Sequence, residues 1–204
     1  MDIILIGLAI VAGLTLLYFL IVRPWSLNWG ATKEETARPL PGDEIVKTAH
    51  FAATRAVTIN AAPSEVWKWI IQIGSARAGW YSIDWIDNGG KPSSHQILPE
   101  FQKIENDSFV PFTPDQKNGM WVKEFKLHEH ILWWDKKGRA SWLWRLSEIG
   151  QGRTRLVTRL RTQYDFKFPW VIYYILYDLG DIVMMSKCML GIKERAEETS
   201  LQQK

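Results

Sequence analysis

Hydrophobic and polar positions change rhythm several times along this chain. Residues 3–22, IILIGLAIVAGLTLLYFLIV, form an apolar run whose one polar side chain is a Thr. At 1.5 Å per helical residue it spans about 30 Å, the hydrocarbon core of one bilayer. A soluble helix of that length keeps a polar face. A cleaved secretory leader carries a basic lead-in and a small-residue cleavage site, whereas this run sits between Met1-Asp2 and Arg23-Pro24. The pattern predicts a single-pass anchor in the cell membrane (residues 1–24), with Trp25 and Trp29 as interfacial aromatics. Arg23, Lys33 and Arg38 follow the run and no Lys or Arg precedes it, which directs the C-terminal domain to the cytoplasm. Within a juxtamembrane linker of 25–48, residues 30–48 are polar, contain Pro39, Pro41 and Gly42, and hold no period. They read as a flexible tether with an end-to-end distance of about 25 Å.

From residue 49 the pattern becomes that of a domain. HFAATRAVTINA (50–61) alternates and is β-branched, as a strand does. APSEVWKWIIQIG (62–74) starts with Pro63, Ser64 and Glu65, carries Val66, Trp69, Ile70 and Ile73 on one face, and stops at Gly74. After a loop-rich stretch, strands are predicted in FVPF, MWVKEFKLHEHILWWD, RASWLWRLSE and RTRLVTRLRTQYDF, with turns at DQKNG, DKKG and IGQG. A helix closes the domain from Pro169 to about Glu198, leaving 199–204 as a disordered tail. The order implies an α+β fold with helices on one face of a curved antiparallel sheet.

Alternation assigns the faces. Leu156, Thr158, Leu160, Thr162 and Tyr164 point one way, opposite Arg155, Val157, Arg159, Arg161 and Gln163. The arginine row reads as a solvated outer face. Ala140, Trp142, Trp144 and Leu146 likewise share the inner face. A wall of Trp, Thr and Tyr suits a cavity for an amphiphile; a dry packed core is the alternative.

The final helix, WVIYYILYDLGDIVMMSKCMLGI, is apolar almost all round. As a second membrane span its Leu, Ile and Val contribute about −3 to −5 kcal/mol, against about +8 to +10 for Asp178, Asp181 and Lys187. It is therefore a packed helix. Met184, Met185 and Met189 offer adaptable lining or plain core, and Asp178 and Asp181 are candidate buried carboxylates.

The stretch GSARAGWYSIDWIDN (74–88) combines glycine hinges with Trp80, Tyr81 and Trp85 and with Arg77, Asp84 and Asp87. It fits a flap closing over a cavity mouth, latched by ion pairs; the alternative is a plug between helix and sheet. His95 beside Asp84 and Tyr81 is a candidate general base. His128 and His130 share a strand face without a third ligand, so no metal site is assigned. The net charge of +3, with 25 basic residues spread among 22 acidic ones, argues against nucleic acid. The lone Cys188 excludes an internal disulfide. No motif asks for a cofactor, and nothing sets the oligomeric state.

TRAVTINAAPSEVWKWIIQIGSARAGWYSIDWIDN, ILPEFQKIENDSFV and MLGIKERAEE together resemble the SRPBCC superfamily, in particular its START-related, polyketide cyclase/dehydrase-like members, over residues 50–198. The resemblance implies a helix-grip fold around an internal hydrophobic cavity, with a hydrophobic small molecule or lipid as partner. The anchor departs from that pattern. Candidate ligand contacts are Trp69, Trp80, Tyr81, Trp85, Trp142, Trp144, Leu160, Tyr164, Met185 and Met189. Three readings stay open: a membrane-held binder or carrier, a cavity enzyme of cyclase or hydrolase type using His95, Asp84 or Tyr81, and a tethered interaction domain without ligand. The residues themselves favour binding over catalysis.

Overall fold

The computed structural model describes residues 2–168 and 170–202. The apolar run is helical through to Leu27, as α1 (Asp2–Leu17), a wide π turn (Tyr18–Val22) and α2 (Arg23–Leu27). The wide turn has a local cause. Pro24 has no N–H for the carbonyl four residues back and its ring would collide there, and a wider turn just before it relieves both. The Arg23 N–H accordingly reaches back to the Tyr18 carbonyl. The helix Ile3–Leu27 is long and apolar enough to cross a membrane, and none of its most apolar stretch is buried against protein.

The next segment differs from expectation: it is a strap, not a loose tether. α3 (Lys33–Ala37) begins with a capping box, Thr32 Oγ1 accepting the Glu35 N–H at 3.2 Å and Glu35 Oε2 accepting the Thr32 N–H at 2.8 Å. Upstream, the Trp29 carbonyl accepts the Ala56 N–H at 3.1 Å. The strap crosses the outer face of the sheet, where Ala31 before α3 and Leu40 and Ile45 beyond it pack with Ala56, Leu132, Leu143 and Val157 in a small second core.

The arginine row clamps it there. Arg155 pairs with Glu35 at 2.8 Å and donates to the Gly30 carbonyl at 2.7 Å. Arg159 donates to the carbonyls of Glu35, Thr36 and Arg38 and to Asp43 Oδ2, all within 2.9 Å. Arg161 donates to the Val46 carbonyl at 2.9 Å. The row expected in solvent is thus roofed. An irregular segment must find donors for its carbonyls, and a guanidinium offers five.

The sheet is open, six-stranded and antiparallel, in the order β1-β6-β5-β4-β3-β2. Its strands are β1 (Phe51–Ile59), β2 (Phe109–Pro111), β3 (Gly119–Lys126), β4 (His130–Trp134), β5 (Ala140–Glu148) and β6 (Thr154–Thr162). The stretch read as one long strand at 120–135 is a hairpin, because His128 takes a left-handed φ of +62° and turns the chain between β3 and β4. α4 (Pro63–Ile71), the short α5 (Asp84–Asp87) and the long α6 (Trp170–Gln202) complete the fold. α6 remains helical into the segment expected to be disordered; residues 203 and 204, and the Pro169 helix start, lie outside the described residues. α4 and α6 pack on the inner face, and Val66, Ile70, Met189 and Ile192 join Trp133 and Trp144 in the main core. This is a helix-grip arrangement.

Candidate functional site

The space between sheet and α6, expected to hold a guest, is packed with indole rings. Trp80 stacks on Trp142 at 5.7 Å and 5°, Trp142 on Trp144 at 5.1 Å, and Trp133 meets Trp142 edge-on at 5.4 Å. Trp142 Nε1 donates to Thr158 Oγ1 at 2.7 Å. Trp69, Leu160, Met185 and Met189 are buried in the same cluster. Among the described residues three cavities stand out, and Trp69, Trp80, Trp142, Trp144, Leu160, Met185 and Met189 line none of them. One, about 590 Å³, lies beside Pro63 and His128.

The 74–88 stretch behaves as the plug. Gly74 and Gly79 bond to each other backbone to backbone, and the loop then drives Trp80 and Tyr81 inward. Of its three large aromatics Trp85 alone stays out, 76% exposed. Tyr81 Oη donates to the Trp69 carbonyl at 3.2 Å and accepts from Gln72 at 2.9 Å, and the Arg195 guanidinium lies 4.6 Å over its ring. Gly191 lets α6 approach here; a Cβ at that position would collide with the Tyr81 backbone. The predicted latch does not form. Arg77 donates to the Ile71 carbonyl at 2.7 Å and lies over Phe101, while Asp84 Oδ1 accepts from Ser93 and Asn88, both at 2.6 Å.

A polar cavity of about 370 Å³ does bring Tyr81, Asp84 and His95 together, with Ser93, Lys187 and Arg195. Their chemistry is that of a braced loop. Burial pushes the Tyr81 phenol up and its hydroxyl is spent inside the core. For Asp84, burial pushes the pKa up, but the Ser93 and Asn88 hydrogen bonds outweigh it and hold the carboxyl below its usual range. Ser93 Oγ is already engaged by Asp84, Asn88 and the Tyr81 N–H. His95 Nε2 sits 3.3 Å from Arg195 Nη2. No hydroxyl here is paired with a free base. His128 lies edge-on to Trp67 and His130 sits 3.6 Å from Glu124, so the two do not converge on one point. Among the described residues no three His, Cys, Asp or Glu could hold a metal ion.

The largest of these cavities, about 760 Å³, lies where the N-terminal helix meets the domain. Leu14, Thr15, Tyr18 and Phe19 form one wall; His50, Tyr164, Phe166, Tyr174 and Leu179 form the other. Tyr164 stacks on Tyr174 at 4.1 Å, and His50 meets Phe166 edge-on at 4.8 Å. The polar end is Asp178, which accepts from Tyr18 Oη at 2.6 Å and from Arg23 at 2.8 and 3.0 Å. One turn further along α6, Asp181 pairs with Arg55 at 2.6 Å, and Arg55 Nε donates to the Ser26 carbonyl at 2.8 Å. Burial pushes the Asp181 carboxyl up, with Arg55 pulling against it. Both candidate carboxylates of α6 thus join the helix to the elements beside it. Of the predicted ligand contacts only Tyr164 lines this cavity. Arg23 directly after the apolar run, and Asp178 on an apolar helix, were the signals that could have located it.

No protein-family model and no curated protein matches this chain. Solved structures do. A hypothetical protein of Helicobacter pylori matches with a TM-score of 0.51 at 12% identity, covering 81% of this chain and 99% of its own. A polyketide-cyclase-like protein of Corynebacterium glutamicum gives 0.45 at 13% identity over 70% and 88% of the two chains. A conserved protein of unknown function from Enterococcus faecalis gives 0.44 at 13% over 79% and 93%. At 12% identity what the Helicobacter pylori protein shares with this chain is the fold.

Proposed function

We propose that this helix-grip domain of the SRPBCC kind, standing on its own membrane anchor, binds an amphiphilic small molecule or lipid in the cavity between anchor and domain. One observation carries the reading: the largest of the three cavities described takes one of its two walls from the bilayer-length helix itself. Its volume of about 760 Å³ is in the range of small-molecule sites. Leu14, Phe19, Phe166 and Leu179 suit an apolar body, and the flat Tyr164–Tyr174 pair suits a ring or unsaturated chain. His50 and the Tyr18–Asp178–Arg23 group suit a polar head. A guest held against a membrane helix enters from the bilayer without crossing water. In this reading the domain lies on the cytoplasmic face, where the basic residues after the span direct it.

The test is native mass spectrometry of the full chain released from membranes with its surrounding lipid. Wild type should carry a lipid-like adduct. Thr15→Phe, which fills the cavity from the anchor side, should lose it. An adduct retained in that variant would remove the cavity as its site.

A further inference from the structure

The cavity places part of the C-terminal helix at membrane depth. Val22 ends the apolar run, and Tyr18 lies about 6 Å and Leu14 about 12 Å further into it at 1.5 Å per residue. Phe166 and Tyr174 share a cavity with Leu14, Thr15, Tyr18 and Phe19. They therefore sit alongside the last few turns of the span rather than beyond its end. The residues around them are dressed for lipid. Phe166 and Phe168 are 62% and 81% exposed, and Leu176, Leu179 and Val183, spaced three and four apart on one helix face, are 64%, 50% and 49% exposed. Residues 170–177, WVIYYILY, carry no charge. An apolar face of this kind is out of place in water.

We infer that Phe166, Phe168 and the first turns of α6 are embedded in the phospholipid leaflet nearest the domain, so that the cavity opens sideways into acyl chains. The charges that forbid α6 from spanning do not oppose this shallower placement. Asp178, the first of them, is met by Arg23 at 2.8 Å, and Asp181 by Arg55 at 2.6 Å. Lys167, between the two exposed phenylalanines, has the long stem needed to lift its ammonium to the phosphates. The strap gives the arrangement its rigidity, because the chain between anchor and sheet is clamped by Arg155, Arg159 and Arg161. The inference rests on the membrane-anchored reading, and its test separates the two.

Cys188 is fully buried in the core, so it can stay while single cysteines are added and labelled with an environment-sensitive fluorophore. Phe168→Cys, Leu176→Cys, Ile10→Cys in the anchor and Gln116→Cys in the exposed β2–β3 turn are each reconstituted, as full chains, in phosphatidylcholine–phosphatidylglycerol vesicles. Labels at 168 and 176 should be quenched by spin-labelled lipid and be several-fold less accessible to iodide than the label at 116. Labels at 168 and 176 that match 116, with the label at 10 still in lipid, would overturn the embedding and leave the anchor intact. A label at 10 that also meets iodide would overturn both.

Discussion

Removing the Arg159 side chain should release the strap. Its guanidinium is 6% exposed and donates to Thr54 Oγ1, Asp43 Oδ2 and the carbonyls of Glu35, Thr36 and Arg38. In Arg159→Ala those carbonyls and a carboxylate lose a charged donor that is itself buried beneath the strap. Breaking one side of such a buried network costs about 3–5 kcal/mol. Lifting the strap instead exposes Leu40 and Val46, at about 1.5–3 kcal/mol each, so detachment and retention are similarly costly. At 1.4 kcal/mol per tenfold, the closed-to-open ratio of the strap should fall by about two to three and a half decades. Hydrogen exchange of the full chain in lipid nanodiscs reads this directly. The strap offers amides with known partners, including Thr36 to the Thr32 carbonyl, Arg38 to the Glu34 carbonyl and Asp43 to the Leu40 carbonyl. Those amides should lose most of their protection in Arg159→Ala, and Arg159→Lys should recover little because an ammonium cannot span the same acceptors. Free-chain exchange rates for these amides in the wild type would refute the reasoning, since the segment would then be a tether.

Three other outcomes follow from the packing. Trp80→Ala should cost about 3–5 kcal/mol and lower the melting temperature by about 6–20 °C; an unchanged melting temperature would restore the flap. Asp181→Asn leaves Arg55 buried without its partner and should destabilise by about 3–5 kcal/mol, with the paired replacement Arg55→Met, Asp181→Leu regaining most of it in a double-mutant unfolding cycle. Glu35, hydrogen-bonded to Arg155, has its pKa held below the usual glutamate value. Its stabilising contribution is therefore complete above about pH 4.3 and is lost as pH falls through the lowered value. Protection of the strap amides relative to their free-chain rates should fall through that acid window in wild type, and the part due to Glu35 should be absent in Glu35→Gln.

The sequence pattern carried the order of elements and the two faces of the sheet because both are local properties. Strand alternation correctly put Trp142, Trp144, Leu156 and Leu160 inside and the arginines outside. It could not show that the outside is covered, since Arg159 finds its acceptors more than a hundred residues away. The β3–β4 turn was hidden because Leu127, His128 and Glu129 include no Gly, Pro or Asn, and only the left-handed His128 marks it. Aromatic abundance on the inner face was legible, but whether those rings enclose a space or fill it depends on how facing side chains interdigitate. The cavity draws on an N-terminal helix, the ends of two strands and a C-terminal helix, and no window of sequence contains it.

A structure of the full chain in native-lipid nanodiscs tests the central claim most directly. Elongated non-protein density should lie between Tyr18, Phe19, Tyr164 and Leu179, with its polar end toward Arg23 and Asp178. An empty cavity, or a guest lodged instead among Trp80, Trp133 and Trp142, would contradict it.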